Sequence, residues 1–305
     1  MPPPASHSPP RSAPIVALVA MILIWGYSWV VMKIALNHAH PFDFAAIRVA
    51  IGCALLFAIV RLRGRSLALP DYRMALLLGL LQVALFVGLS HYALLQAGPG
   101  KTSVLVFTMP FWMIVFAHFI IGERMRGAQW AAVALAFAGL ALIVQPWQLT
   151  SLAGSLLAVA AGAVWAMGAV LSKKWPATTA DALLFTAWQL LFGFLALAAL
   201  ALLHPHEPVR WNLEFAWTLA FSAILATAIG WWLWTYVLAR SRAGIAGLNS
   251  LGIPVVAVTA SALQLGERPP PLELAGMLLI GLALGLLAWL GLRRASAVSG
   301  ATPVD

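Results

Sequence analysis

The sequence predicts an all-α integral membrane protein with ten transmembrane helices, arranged as two inverted five-helix repeats. Three observations lead to this prediction. Hydrophobic residues make up 63% of the 305 positions and charged residues only 9%, which is too little charge to cover the surface of a soluble domain of this length. The apolar residues form long continuous runs, not the alternating pattern of a membrane β-barrel. The chain also repeats itself at a fixed offset.

The repeat is clearest between residues 91–124 and 235–268. Without a gap, an offset of 144 positions aligns four features: Tyr92 with Tyr236, Gly100 with Gly244, Pro110 with Pro254, and a Gly-Glu-Arg tripeptide at 122–124 with another at 266–268. A weaker match aligns Trp25 with Trp165 and Lys33 with Lys173, at an offset of 140. The chain is therefore interpreted as a tandem duplication.

Ten apolar runs have the length of membrane helices. They cover residues 14–34, 42–60, 74–97, 102–121, 127–145, 153–172, 182–203, 215–239, 245–265 and 272–292. The duplication divides them into a first five-helix repeat at 14–146 and a second at 147–292. A Pro- and Ser-rich tail at 1–13 is predicted to be disordered, and a second tail follows at 293–305.

The basic residues predict the orientation, because Lys and Arg are enriched in cytoplasmic loops. With both tails in the cytoplasm, most of the eighteen Lys and Arg residues lie on the cytoplasmic side. Each repeat holds five spans, an odd number, so the second repeat enters the membrane upside down. Inverted repeats are typical of secondary transporters, whose substrate site lies at the repeat interface near the midplane.

The chain resembles the EamA-type branch of the drug/metabolite transporter superfamily. The resemblance rests on the five-plus-five spans, on Trp25-Gly26 in the first span, and on the proline and Gly-Glu-Arg pattern of spans four and nine. Within that branch the chain is most similar to bacterial aromatic amino-acid exporters, through its tryptophan-rich interior and His91-Tyr92. The resemblance implies a transporter of the bacterial inner membrane, without enzymatic activity or a cofactor, that exports amino acids, with aromatic or hydrophobic ones favoured.

The candidate substrate-binding residues lie within the spans. Trp25, Trp112 and Trp165 each fall near the middle of a span and are predicted to line a cavity, the alternative being core packing or lipid contact. Lys101, Leu105, Thr108 and Trp112 recur at helical spacing, so they share one stripe that is expected to face the pathway.

His91, followed by Tyr92, is an ionisable residue inside a span and therefore a functional candidate. The alternative is a neutral histidine that is hydrogen-bonded to a carbonyl or hydroxyl group. Lys33, Arg48 and Lys101 map to the outer third and could form a cationic vestibule. Alternatively, each extends separately to the interface, which accounts least well for Arg48, the deepest of the three.

Pro110 and Pro254 are predicted hinges, since each removes a helical hydrogen bond at the same position of its repeat. Gly100 and Gly244 are expected to let the neighbouring turns flex. The alternative for the prolines is a tolerated kink without a role in transport.

Several functions are excluded or disfavoured. All nine acidic residues lie at span ends, in loops or in a tail. The protein is therefore a facilitator or an exchanger, with facilitated efflux favoured, unless His91 carries proton coupling. The single cysteine, Cys53, excludes an intrachain disulfide and a cysteine metal cluster, and no metal site is predicted. The net charge of +9 is spread between spans, which disfavours nucleic-acid binding.

Alternatives to amino-acid export are efflux of drugs or other metabolites through the same cavity, an intramembrane enzyme and a channel. The enzyme lacks support because no HExxH or GxSxG motif is present. Span ten carries the small residues Gly281 and Gly285, with Gly276 one to two turns earlier. This face is expected to pack on the small residues of span five, which are Ala132, Ala136 and Gly139. A monomer is therefore favoured over a dimer.

Overall fold

The structure is a computed structural model that describes residues 13–68, 72–123, 127–145, 152–175, 181–204, 206–234 and 252–299. Within these ranges the chain is helical and contains no β-strand. Eight helices are long and apolar enough to cross a membrane, and two shorter apolar segments follow at Gly252–Leu265 and Pro271–Leu287. The predicted all-α membrane architecture is confirmed.

The helices of the described ranges are numbered in chain order. They are α1 Ala13–Ala35, α2 Pro41–Leu62, α3 Tyr72–Gln96, α4 Pro99–Ile121, α5 Gly127–Val144, α6 Leu152–Lys174, α7 Ala182–Leu203, α8 Leu213–Trp234, α9 Gly252–Leu265 and α10 Pro271–Ser299. Wider π-helical turns occur in α3 at Gly79–Leu85 and in α8 at Phe221–Ile229.

Polar residues outside the apolar runs begin several of these helices. The imidazole of His40 accepts the backbone N–H of Phe42 at 3.4 Å before α2, and Asn212 Oδ1 accepts that of Phe215 at 2.7 Å at the start of α8. Asp181 caps α7. Partial burial alone would raise the pKa of Asp181, but hydrogen bonds from Arg65 and the backbone of α7 lower it below its ordinary value.

The duplicated Gly-Glu-Arg tripeptide ends a helix in both halves. Gly122 and Gly266 have φ of 75° and 67°, the left-handed conformation that glycine adopts without steric cost. The turn lets the backbone N–H of Glu123 bond the carbonyl of Ala117 at 3.2 Å, and that of Glu267 bond Ser261 at 3.4 Å. The repeated glycine is therefore explained by helix termination.

The helix contacts follow the same pattern when the helices of the first half are exchanged for their counterparts in the second half. Helix α1 packs on α9 and, correspondingly, α6 packs on α4, while α3 contacts α6 and α8 contacts α1. Helix α2 packs on its counterpart α7, as α5 does on α10. Glu267 contacts the first turn of α4, whereas Glu123 follows its last turn. The two copies of the tripeptide thus lie at opposite ends of α4, as an inverted relation of the halves requires.

The structure differs from the predicted boundaries at the end of the chain. Helix α10 continues to Ser299, seven residues past the predicted span, because the segment 293–299 contains no Gly or Pro to stop it. Gly244, Tyr236 and most of the predicted start of span nine lie outside the described residues.

Helix α10 packs on α5 as expected, and it does so through Gly276 and Gly139 but not through Gly281 and Gly285. A Cβ atom built on either glycine would meet nothing within 4 Å. The close approach lies one to two turns earlier, where a Cβ on Gly139 would come within 2.7 Å of the Gly276 carbonyl oxygen and one on Gly276 within 2.6 Å of that of Gly139. Helices α5 and α10 therefore meet backbone to backbone through this glycine pair.

Candidate functional site

A cavity of about 100 Å³ lies between the two halves of the chain. Helix α1 lines it with one face, because Trp25, Ser28, Trp29 and Met32 follow the spacing i, i+3, i+4 and i+7. The Ser28 hydroxyl donates to the Trp25 carbonyl at 2.7 Å within its own helix. Of this face, only Trp25 was predicted from the sequence, although the helical spacing of Ser28, Trp29 and Met32 would have indicated the whole face.

Four tryptophans form the aromatic wall of the cavity. The ring centroids of Trp25 lie 6.3 Å from Trp231 and 6.1 Å from Trp234, and Trp165 lies 6.3 Å from Trp234. The Trp25 Nε1–H donates to the Ala226 carbonyl at 2.9 Å, so one indole of the first half is bonded to the backbone of the second. The predicted cavity positions of Trp25 and Trp165 match the structure.

Arg48 and His91 supply polar groups to the same cavity. Arg48 is 8% exposed, and its Nη1–H points to the Met32 sulfur at 2.9 Å, while its Nε–H has no partner within the described ranges. His91 is 1% exposed and its Nδ1–H donates to the Pro41 carbonyl at 3.3 Å, and no residue that the structure describes bonds its Nε2. Its ring also packs on Phe44, with centroids 5.2 Å apart.

The predicted cationic vestibule does not form. The Lys33 ammonium donates to the Leu94 carbonyl, and Lys101 pairs with Glu273 at 2.7 Å, with both side chains less than 15% exposed. Lys33 and Lys101 are therefore bound to other groups of the protein, at the end of the bundle where α1 and α3 stop. Arg48 alone of the three lines the cavity.

The predicted stripe of α4 does not face the cavity. The Thr108 hydroxyl donates to the Leu105 carbonyl at 2.7 Å, and Trp112 packs on Phe137 of α5 with centroids 5.3 Å apart. Thr108 and Trp112 instead border a small crevice against α5. The stripe assumed one unbroken helix, whereas α4 consists of Pro99–Val106 and Met109–Ile121 separated by Phe107 and Thr108. The break changes which residues share a face.

Tyr92 also lies away from the cavity lining, since its hydroxyl is 3.1 Å from His40 Nε2 at the loop between α1 and α2. His40 stacks on His206 with centroids 4.2 Å apart, and His206 Nε2 lies 2.6 Å from an Asp43 oxygen. Tyr92 therefore belongs to a cluster that closes one end of the bundle.

The two predicted hinges, Pro110 and Pro254, lie at different places in their helices, but both helices cross a helix of the other half. Pro110 follows the break in α4, and the Val106 carbonyl faces α6 so closely that a Cβ on Gly162 would lie 2.5 Å from its oxygen. Pro254 lies in the first turn of α9, near the place where a Cβ on Gly26 would meet the Ile253 oxygen at 3.0 Å. Each proline-containing helix therefore crosses a helix of the other half at a glycine. The Gly100 N–H donates to Glu267 Oε2 at 3.2 Å.

Two packed halves of membrane helices around an internal aromatic cavity define the class of multi-pass membrane transport proteins. The sequence profile of the EamA-like transporter family matches residues 12–145 and again 152–289. The chain belongs to this family, and the resemblance seen in the sequence is confirmed. It is a membrane transporter, consistent with the drug/metabolite transporter superfamily.

Named relatives agree with this assignment. The chain is 30% identical to the uncharacterized transporter YvbV of Bacillus subtilis over 276 residues, covering 89% of this chain and 90% of that protein. It is 26% identical to a probable amino-acid metabolite efflux pump of Escherichia coli, covering 88% and 92%. A crystal structure shares the fold with a TM-score of 0.68 at 20% identity, covering 93% of this chain and 99% of the other. The relatives are named as transporters or efflux pumps, not as enzymes.

Proposed function

We propose that this transporter exports amino acids, with aromatic or hydrophobic side chains favoured, across the bacterial inner membrane. The observation that carries the proposal is the wall formed by Trp25, Trp165, Trp231 and Trp234 between the two halves. Indole rings offer offset and edge contacts to an aromatic side chain and a face to an ammonium group. The name of the E. coli relative, an amino-acid metabolite efflux pump, supports the same substrate class.

The shape of the cavity suits an amphipathic solute. Seven residues separate Trp25 from Met32 along α1, which corresponds to about 10 Å at 1.5 Å per residue. The aromatic wall surrounds Trp25, whereas Arg48 contacts Met32. An apolar body among the indoles and a polar head near Arg48 fit this arrangement.

Efflux of drugs or other metabolites is the second candidate, because an aromatic wall also accommodates flat compounds. The charge of the cavity argues against cationic drugs. Arg48 lines it, and no carboxylate does among the described residues. A cation entering this space would meet an uncompensated positive charge, so amino acids and other solutes with an anionic group are favoured.

Alternating access of the halves 14–146 and 147–292 is the proposed mechanism. The exchange pattern of the helix contacts supports it, as does the break of α4 at Phe107 and Thr108. Both termini are placed in the cytoplasm by the distribution of Lys and Arg, and a monomer is favoured. Since no described carboxylate lines the cavity, transport is facilitated unless His91 takes part in proton coupling.

Uptake into proteoliposomes tests the proposal. The purified chain is reconstituted without an ion gradient and offered radiolabelled Trp, Phe and Tyr beside Ser and Asn. Equilibration of the aromatic amino acids alone supports aromatic amino-acid transport by facilitation. Uptake that requires a proton gradient keeps the substrate and directs attention to His91. Liposomes that move none of these amino acids, with or without a gradient, contradict the proposal.

A further inference from the structure

Arg48 is a buried cation in the wall of the transport cavity. It belongs to α2, eight residues into a helix that begins at Pro41, and only 8% of its surface is exposed. Burying a guanidinium is costly unless an anion and hydrogen-bond acceptors compensate for the lost water. The contacts of Arg48 therefore indicate whether its role is structural.

Those contacts are poor. The guanidinium has five N–H donors and no acceptor. One of its groups, Nη1, points to the Met32 sulfur at 2.9 Å, and thioether sulfur is a weak acceptor. The Nε–H has no hydrogen-bond partner in the part of the chain that the structure describes. The described carboxylates pair elsewhere or lie at the ends of the bundle, and none forms an ion pair with Arg48.

The other two cations of this part of the chain show what a structural role looks like. Lys101 is also largely buried, and it has Glu273 at 2.7 Å. Lys33 donates to the Leu94 carbonyl and interacts electrostatically with Glu267. Arg48 instead shares the cavity lining with His91, whose Nε2 also has no hydrogen-bond partner among the described residues. Unlike both lysines, Arg48 lines the cavity, and no carboxylate of the described residues forms an ion pair with it.

We propose that Arg48 is the specificity-determining residue of the cavity and that it binds the carboxylate of the transported solute. A planar fork of N–H groups matches the two oxygens of a carboxylate. The solute supplies the anion that the described residues do not provide, while its apolar body lies between Trp25, Trp165 and Trp234. The proposal rests on the proposed function, because it names the chemical group by which that cavity selects its substrates.

Binding to the purified protein tests this with two pairs of radiolabelled ligands. L-phenylalanine is compared with L-phenylalaninamide, and 3-phenylpropionate with 3-phenylpropionamide, so that each pair differs only in the carboxylate. In the unmodified protein the acid of at least one pair binds about tenfold more tightly than its amide, as one charge-assisted contact gives. Equal binding of acid and amide in both pairs, or no binding of either, overturns the proposal.

Variants locate the effect. Arg48→Gln removes the preference for the acid, whereas Arg48→Lys, which keeps the charge without the fork, retains part of it. Arg61→Gln makes the same change at the exposed end of the same helix and keeps the full preference. The proposal is overturned if the Arg48→Gln protein is folded, as shown by the same elution volume in size-exclusion chromatography as the unmodified protein, and still prefers the acid. If Arg48→Gln does not fold, Arg48→Lys decides, and an undiminished preference in it overturns the proposal.

The outcomes separate this proposal from amino-acid export. In one outcome the protein moves no amino acid, but it prefers 3-phenylpropionate to its amide and this preference depends on Arg48. That outcome keeps Arg48 as the carboxylate site and rejects amino acids as substrates. Uptake of phenylalanine at the rate of the unmodified protein by Arg48→Gln liposomes, with binding of acid and amide unchanged, keeps amino-acid export and rejects Arg48.

Discussion

The carboxylate of Glu267 accepts the backbone N–H of Gly100 at 3.2 Å, which joins the end of α9 to the first turn of α4 in the other half of the chain. The same carboxylate accepts the Ser261 hydroxyl. A Cβ on Gly98 would overlap Glu267, so glycine alone leaves room for this contact. A negative group at a helix N-terminus also interacts favourably with the helix dipole.

Glu267→Ala should lower stability, because it leaves the donors of Gly100 and Ser261 without their charged acceptor. We expect a loss of about 1.5–3 kcal/mol, typical of a hydrogen bond to a charged group. Glu123, the counterpart in the first half, pairs with Lys173 through side chains that are 49% and 63% exposed, and Glu123→Ala should cost less than about 1 kcal/mol. Thermal unfolding in detergent measures both, and equal losses would contradict the comparison.

The contact between α5 and α10 depends on the absence of side chains at Gly139 and Gly276. A Cβ on Gly139 would lie 2.7 Å from the Gly276 oxygen and 3.0 Å from Ile280, so Gly139→Ala should destabilise the protein by about 1–3 kcal/mol. Gly281→Ala is the control, since its Cβ meets nothing within 4 Å. If the Gly139→Ala protein unfolded at the same temperature as the Gly281→Ala protein, the close contact between α5 and α10 would not contribute to stability.

Acidification should weaken the histidine cluster at the loop between α1 and α2. Burial lowers the pKa of His40, and His206 and His204 lower it further, against the opposing effect of Asp43. The unfolded chain then takes up the proton first, so stability is full above about pH 6.5 and declines as the pH falls towards the lower folded pKa. Protonation also removes the lone pair that accepts the Phe42 N–H.

The unfolding temperature between pH 7.5 and 5.5 tests this. His40→Asn keeps a helix-capping side chain without a proton to gain, and it should show a smaller loss on acidification than the unmodified protein. His118→Asn, at the opposite end of the bundle beside Glu123, should retain the original loss. The same loss in His40→Asn as in the unmodified protein would rule out His40 as the source.

Trp165 and Trp112 distinguish the cavity found in the structure from the stripe expected from the sequence. Trp165→Leu should weaken binding of aromatic amino acids about three- to tenfold, since an aromatic pair contributes about 0.5–1.5 kcal/mol beyond burial. Trp112→Leu should leave affinity within about twofold and lower stability, because that ring packs on Phe116 and Phe137. If Trp112→Leu weakened binding more than Trp165→Leu did, the substrate would bind at the stripe of α4 and not in the cavity.

Pro110→Ala tests the hinge in α4. Alanine supplies the N–H that proline lacks, so the helix can continue through Phe107 and Thr108 to the Val106 carbonyl. We expect slower turnover at saturating substrate with little change in KM, measured in proteoliposomes. Pro271→Ala serves as the control, because proline at the start of α10 costs no hydrogen bond. Unchanged turnover in Pro110→Ala would leave the proline as a tolerated kink.

Two features of the site could not be predicted from the sequence: where a helix is interrupted, and which residues of different helices meet. The stripe from Lys101 to Trp112 failed because a break of two residues in α4 changed the helical phase. Trp25 and Trp165 line the cavity, in keeping with the mid-span positions that a count along their own spans indicates. Trp234 was missed because its contact with Trp25 joins residues of different halves, which no local pattern reveals.

The sequence by itself determined the membrane architecture, the duplication and the family. These properties depend on continuous apolar length and on residues that recur at a fixed offset, and both are readable along one dimension. Only the tertiary structure decided which of the buried polar groups are satisfied. Lys101 and Arg48 are both cations within apolar segments, but Lys101 meets Glu273 across 172 positions, and no carboxylate of the described chain pairs with Arg48. That difference depends on which helices pack together in space.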